Sequence, residues 1–573
     1  MKRRTTVAAA AVLLLVPLAV LAGDRTTAPE SMLIKVLSGE MDHSMKNLAM
    51  PDGTRPYSMG YTITDQQEVS IGAELGALTE NEANHSRILD VDVRVGDYKL
   101  DNTHKIRGGF MGFDPSDFMG RMPTPISLSG DPVAIKQAVW LATDRTFKSA
   151  AKKYQRVLTN LKTMVEEEDK ADDFSREKPH VYSESEARLK LDRPAWAERL
   201  RNVSQLARKH PLIYNSGISL SAKAENRYFV NNEGSKLQHG QKHLRIFVQA
   251  GTKAEDGMEL SQYRTFNAAS EEGLPSEVEL KAAFQKVIDQ VLALREAPLV
   301  EPYTGPAILM NRASAVFFHE IFGHRIEGHR QKDVEEGQTF TKKIGEEVLP
   351  DFISVHDNPT LAKWGDTDLR GYYKYDDEGV PAQDVTLVEN GVLKTFLMSR
   401  SPVQDFAKSN GHGRRSPGNE IVSRMGNTIV YSTKTAGFDE LRKMLIDECK
   451  KQDKPYGLLF EDITGGFTGT RRAGPQTFKV LPVVVYRIYA DGRKDELVRG
   501  VDIVGTPLAS FSKIMYTGDD PDIFNGTCGA ESGWVPVSGV SPSILVSEIE
   551  VEKRRREQDK PPILTPPIAE KKP

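Results

Sequence analysis

"LPVVVYRIYADGRKDELVRGVDIVG", residues 481–505, sets two runs of β-branched and aromatic residues on either side of Asp491-Gly492. Such runs favour extended chain, and Asp-Gly supplies the backbone freedom that a tight turn between strands requires. "DVTLVENGVLKTFLM", residues 384–398, has the same design around Asn390-Gly391. Both stretches predict hairpins. Apart from one helical segment around residue 320, strand and turn patterns continue from 301 to 550. They predict a large β-rich domain with a curved, antiparallel, barrel-like sheet.

Upstream the pattern is mixed. "GDPVAIKQAVWLATDRTFKSAAKKYQRVL" (130–158) predicts a long helix capped by Asp131, with Pro132 at its first position. "SEVELKAAFQKVIDQVLALR" (276–295) predicts another, with Ser276 and Glu279 spaced as a capping box. "APESMLIKVLSGEMDHSMKNL" (28–48) and "RPAWAERLRNVSQLARKH" (193–210) add two amphipathic helices, the first with Pro29 near its start. Between them, "GYTITDQQEVSIGAELG" (60–76), "ILDVDVRVGDYKLDNT" (88–103), "GISLSAKAENRYFVNNEGSKLQHG" (217–240) and "KHLRIFVQAGTK" (242–253) alternate as half-buried strands do, with Asn232 and Gly234 as turn residues. The charged "EEEDKADDFSREK" (166–178) reads as a solvated linker. The expectation is an α+β protein with a mixed α/β domain over 23–300 and the β-rich domain over 301–550.

A chain of 573 residues exceeds a single core, which agrees with two domains. Charged residues make up 27% and the net charge is −4, so no clustered basic surface marks a nucleic-acid binder. The chain starts "MKRRTTVAAAAVLLLVPLAVLAGD". Its apolar run, 7–22, is shorter than the ~20 residues that span a bilayer. It matches an export signal over 1–22, cut after Ala22, leaving no stable membrane anchor and placing the mature protein in a periplasm. Arg3-Arg4 also allows a twin-arginine route. Residues 551–573 hold prolines and charges without periodicity, which predicts a disordered tail.

"FFHEIFGHRIEGH", residues 317–329, places His319 and His324 five apart. On a regular helix they diverge by roughly 140°. They can meet on one metal only if the helix ends or bulges between them, and Gly323 sits there. A catalytic zinc takes three protein ligands, so a third must come from elsewhere. Cys528 in "FNGTCGAESGW" (524–534), Glu327 and His329 are the candidates. Cys528 is favoured: a thiolate binds zinc strongly, its flanking glycine allows close approach, and the other two need awkward local folding. A disulfide between Cys528 and Cys449, the other cysteine, is the alternative in an exported protein. Glu320 adjoins His319 and has the chemistry of a general base.

"HEIFGH" followed by "EGH", "DDEGVPAQDVTLVENGVLKTFL" (376–397), "GNTIV" (426–430), "GGFTGTRRAGPQTFKV" (465–480) and "VRGVDIVGTPLASFSKI" (498–514) occur in this order. Together they resemble the TldD/PmbA family of metallopeptidases, over most of the chain and most strongly from 300 to 550. The resemblance implies one Zn2+ per active subunit, held by His319, His324 and Cys528, with Glu320 as the catalytic base. The PmbA-type subunit lacks the metal motif; this chain keeps it. The resemblance also implies a substrate class, peptides or unfolded polypeptide segments entering an enclosed cleft. Gly465 and Gly466 could then let a peptide strand approach, and Arg471 or Arg472 could hold its carboxylate. His412 and Arg414 in "SNGHGRRSPGN" (409–419) invite the same assignment.

Two departures stand out. Where family members tend to have an aspartate, this chain has His329. The familiar members are cytoplasmic and pair with a PmbA-type subunit, whereas this chain carries the export signal, so a homodimer is an option beside such a heterodimer. The leading function is a zinc-dependent peptidase using metal-activated water. A non-catalytic, zinc-containing peptide-binding or assembly protein is the alternative, and a cysteine hydrolase with Cys528 as nucleophile is a third.

Overall fold

The computed structural model describes residues 30–105, 123–162, 169–333, 336, 339–472, 477–554 and 559–569. The expected export signal and Pro29 lie outside these. Among the described residues no helix is long and apolar enough to cross a membrane.

The N-terminal half is built on a seven-stranded sheet. Pro56–Glu74 and Ala77–Val95 form one long hairpin that turns at Leu75-Gly76, both with left-handed backbone (φ 48° and 82°). Asn215–Asn231, Lys236–Lys253 and Glu259–Ala268 continue the sheet in antiparallel order. In Lys236–Lys253 the alternate residues Leu244, Ile246, Val248 and Ala250 are buried in one core with Trp196 and Leu200 of helix Arg193–Ser204 and Phe284 and Val287 of helix Glu277–Glu296. The capping box of Ser276 and Glu279 is formed. Helices Met32–Asn47 and Pro132–Leu161 cover Met59, Tyr61 and Ile63, and Asp131 caps the second helix as its sequence indicates.

The C-terminal half contains a closed ring of strands. Tyr303–Leu309 pairs in parallel with Tyr456–Thr468 and antiparallel with Ile544–Lys553. Phe478–Tyr489 and Val501–Gly505 complete the ring between those two. A separate six-stranded sheet ends on Asp522–Ala530. The helix Asn311–Ile321 follows the first barrel strand and lies between barrel and sheet. Phe317 meets Phe478 and Phe511 edge-on, with centroids 5.8 and 5.9 Å away. Opposite, Gly539 leaves room for the helix, since a Cβ there would come within 3.2 Å of Ala315.

Asn390-Gly391 is the tip of its hairpin, with φ 48° and 82°, between Val385–Glu389 and Val392–Leu393. Asp491-Gly492 also sits at the tip of its hairpin, midway between the paired Arg487 and Glu496 and with Gly492 at φ 80°, but on a longer loop. The chain loops over 490–495 before the short strand Glu496–Val498 returns, then Val501–Gly505 pairs farther along the same partner. The physical cause is the polar "GRKDE" that follows Asp491, which offers no apolar side chain to continue the ladder until Leu497. The supposed solvated linker also needs correction: Asp173, Phe174 and Ser175 are buried. Asp173 receives His104 and Lys332, and Phe174 is covered by the Arg94 and Arg400 guanidinium groups. The last strand runs to Lys553, past the expected domain end at 550. Residues 559–569 are mostly exposed, with one 3-10 turn at Pro567–Ala569; the remainder of the supposed tail from 555 on lies outside the described residues.

Two bidentate forks tie the halves together. Arg400 grips Glu233 at 2.6 and 2.8 Å, and Arg415 grips Asp92 at 2.9 Å twice. Beneath them Asp376 accepts backbone N–H groups of Glu378, Val380 and Gly413, while Glu378 accepts that of Arg400. Burial, then the charge of Glu378, pushes Asp376 well above the usual carboxylate range, and burial raises Glu378. Both folded-state values exceed the unfolded ones. The stability this pair contributes is therefore complete below the usual carboxylate range and is lost as pH rises through the raised values. Glu378→Gln removes one of the two charges. Thermal unfolding followed from mildly acidic to mildly alkaline buffer should show a shallower fall in Tm for the variant than for wild type; equal slopes would show that the pair does not hold a proton.

Candidate metal centre

The helix Asn311–Ile321 stops between the two histidines. Phe322 ends it with φ −102° and ψ −56°, and Gly323–Arg325 form a 3-10 turn. His319 occupies the last helical turn and His324 the tighter one, so the five-residue spacing brings the imidazoles together, centroids 5.1 Å apart at 82°. Gly323 is required for space rather than for its dihedral freedom: a Cβ there would lie 2.0 Å from the Met425 sulfur.

Both imidazoles aim Nε2 at the Cys528 sulfur, each at 3.2 Å. The three ligand atoms lie within 4.8 Å of one another. Tetrahedral zinc, with bonds of about 2.0–2.1 Å to nitrogen and about 2.3 Å to sulfur, separates such atoms by about 3.5 Å, so this donor set fits the ion. Cys528 comes from Asp522–Ala530, where its partner across the ladder is Val535. Cys449 lies elsewhere, buried in helix Phe438–Lys451 among Leu441 and Leu445; both thiols are free, which removes the disulfide alternative. Burial alone would raise the Cys528 thiol, but His324 and His319 outweigh it and hold the group well below its ordinary value. The thiolate is the form that binds metal.

Glu320 is 6% exposed. Burial raises its carboxyl, against the opposing pull of the two imidazoles. Gly466 presses on it: a Cβ at that glycine would stand 2.7 Å from Glu320 Cγ and 2.8 Å from the Lys479 carbonyl. Arg325 locks the end of the helix to the glycine-rich strand, donating Nη1 to the Glu320 carbonyl (2.9 Å) and Nη2 to that of Gly469 (3.1 Å).

Glu327 and His329, the other ligand candidates, supply no ligand atom to this cluster. Glu327 Oε2 sits 3.3 Å from His324 Nδ1, on the far side of the ring from Cys528. It is fully buried and takes Arg330 Nε at 2.8 Å, with Arg424 Nε 3.3 Å from its other oxygen. Burial would raise this carboxyl, yet His324 and Arg330 pull it down to about 2. Arg424 in turn donates to the Cys528 carbonyl (2.8 Å) and to Ser532 Oγ (2.7 Å), joining the two ligand-bearing segments. No spacing in the sequence marks Arg424. His329 is bonded through Nε2 to Glu531, whose other oxygen accepts Arg330 Nη2 at 2.9 Å. Because Glu327 orients the His324 ring, Glu327→Gln should weaken zinc binding about 10–100-fold, read by chelator competition at a temperature where the variant remains folded.

A cavity of about 1170 Å³ lies between the halves, lined by His324, His329, Phe467 and Arg471 on one side and by Asp92 and Arg94 on the other. Of the four expected substrate residues only Arg471 lines it. Gly465 faces open space, Gly466 faces Glu320, and Arg472 is exposed. His412 and Arg414 are internal: His412 Nε2 is 3.2 Å from Asp357, and Arg414 bonds the Met425 carbonyl. Arg415, the next residue, faces the cavity.

Residues 302–553 match the PmbA/TldA metallopeptidase C-terminal domain. A protein of Archaeoglobus fulgidus named metalloprotease is 31% identical over 260 residues, covering 45% of this chain and 56% of its own length. A Saccharolobus solfataricus protein named zinc metalloprotease TldD homolog is 26% identical over 46% of this chain and 57% of its own length. The chain thus spans little more than half of these relatives. The crystal structure of TldE from Thermococcus kodakarensis shares the fold, with a TM-score of 0.60 at 14% identity, over 90% of this chain and all of that one.

Proposed function

We propose that this chain, whose C-terminal domain belongs to the PmbA/TldD family, is a zinc-dependent peptidase that cleaves peptides or unfolded polypeptide segments. The observation that carries the reading is the convergence of His319 and His324 Nε2 on Cys528 Sγ, each at 3.2 Å, beside the buried Glu320. A zinc ion held by these three groups supplies a Lewis acid and lowers the pKa of water.

The chain's own residues do the rest. With Nε2 engaged, His324 carries its proton on Nδ1 and donates it to Glu327, which fixes tautomer and ring orientation. Glu320, its affinity for protons raised by burial, takes the proton of the attacking water and returns it to the departing amine. A peptide is held as an added strand. The pairing of Tyr456–Thr468 with Tyr303–Leu309 ends at Phe460, so among the described residues 463–468 have a partner strand on one side only, next to Glu320. Arg471, lining the cavity, holds a substrate carboxylate. In this reading the enzyme acts outside the cytoplasm after cleavage behind Ala22, as a homodimer or with a PmbA-type subunit.

Treatment with a chelator should abolish cleavage of a denatured protein or a peptide library, and added zinc should restore it. A cysteine hydrolase using Cys528 would keep its activity through chelation, and that result would overturn the proposal.

A further inference from the structure

Arg245, on the inner face of the N-terminal sheet, and Arg370 of the C-terminal half have no carboxylate partner among the described residues. In Lys236–Lys253 the even-numbered residues Leu244, Ile246 and Val248 pack on the helices. Strand alternation therefore turns His243 and Arg245 the other way, toward the C-terminal half. There both lie within electrostatic reach of Arg370; His243, held down to about 3 by burial and with Nε2 3.2 Å from Asn267 Oδ1, is neutral and offers a hydrogen bond rather than a charge. Arg370 gives Nη1 to the Gly526 carbonyl (3.2 Å) and the Thr527 hydroxyl (2.6 Å), which leaves its Nε edge unused; that Nε is buried and without a partner. Arg245 Nε is also buried and without a partner. Arg370 and His243 line a separate cavity of about 310 Å³ between the sheet and the C-terminal half.

Among the described residues no carboxylate pairs with Arg245 or Arg370. Burial lowers both guanidinium groups, and like charge lowers them further: Arg245 acts on Arg370, and Arg312 on Arg245. The acids of the same cavity are engaged or exposed. Glu225 holds Lys223 and Arg227, Asp377 pairs with Arg227, Asp376 accepts three backbone N–H groups, and Glu68 is exposed. Both arginines are half-buried with a buried Nε; a partly buried charge left unpaired is unfavourable, and the Nε–Nη2 edge of a guanidinium matches two oxygens of one planar or tetrahedral anion.

We propose that Arg370 and His243, which line the smaller cavity, and Arg245 beside them on the same face of the sheet form a binding site for an oxyanion, a phosphate or carboxylate group. Thr527, which Arg370 holds, precedes Cys528, and adjacent strand residues point to opposite faces. The site therefore lies behind the strand that carries the sulfur ligand. It does not depend on the peptidase reading.

The test uses the full chain at constant ionic strength in chloride buffer, with inorganic phosphate and succinate as separate probes. Calorimetry and thermal unfolding should show saturable binding and a raised Tm with at least one. Binding by phosphate alone identifies a phosphoryl ligand, and by succinate alone a carboxylate. Arg245→Gln should weaken binding roughly tenfold or more. It should also melt at a higher temperature than wild type without any anion, because it removes a half-buried charge that has no carboxylate partner among the described residues. Arg245→Lys, which keeps the charge but loses the fork, should weaken binding too. Zinc content should be unchanged in both. The proposal is overturned if neither probe gives a saturable shift in wild type, or if the shift is equal in Arg245→Gln. It is also overturned if that variant dissociates an oligomer by sedimentation, since a partner chain's carboxylate would then be the anion.

Discussion

Glu320→Gln is expected to retain stoichiometric zinc and to lose cleavage by about 10²–10⁴-fold, the usual contribution of a positioned acid–base group. The change is nearly isosteric, so Gly466, which touches Glu320, need not move. It also removes a buried carboxyl, so the variant should fold at least as well as wild type. None of the ligand atoms is altered, which separates chemistry from metal retention. The measurement pairs metal analysis of the purified variant with turnover of a fluorogenic peptide mixture. If the variant kept wild-type turnover, the buried glutamate would have no role in proton transfer. If zinc vanished with the activity, Glu320 would be serving the metal rather than the reaction. Wild-type biological activity with intact zinc and no cleavage would favour the peptide-binding or assembly alternative.

His319→Ala and Cys528→Ala should each release the metal, lowering affinity well beyond the 10–100-fold that loss of an outer partner costs. The reason is the count: three protein groups converge, and two cannot complete a tetrahedral site that keeps one position for water. The two variants should look alike by metal analysis, although one lies on a helix and the other some two hundred residues later on a strand. Cys449→Ala is the control, since that thiol packs against Leu441 and Leu445 far from the cluster and should leave zinc in place. Full zinc occupancy in Cys528→Ala would mean that another residue supplies the third bond.

The local chemistry was legible early. The spacing of His319 and His324 demanded a helix break, and the chain breaks between them, at Phe322. The role of Gly323 was only half legible: the sequence shows where a small residue is needed, whereas the reason is the Met425 sulfur, roughly a hundred positions away. The same limit explains Glu327. Near the motif it looked like a possible ligand, yet only the packed structure reveals that it faces the opposite nitrogen of His324 and is answered by Arg330 and Arg424. The stretch 166–178 failed for a related reason. Charge count predicts solvation, but Asp173 finds His104 and Lys332 across the fold and is buried with them.

By itself the sequence determined the elements: alternating strands, the capped helices, the Asn390-Gly391 turn and the break in the ligand helix. These depend on residues within a few positions of one another, whose dihedral preferences and periodicity act locally. Tertiary structure alone decided the closure of the barrel, the burial of Glu320 under Gly466, and the reach of Arg424 from Glu327 to Cys528. It also left Arg245 and Arg370 without a carboxylate partner among the described residues. Those outcomes rest on contacts between segments roughly a hundred or more residues apart, and no local preference records which charge will meet which.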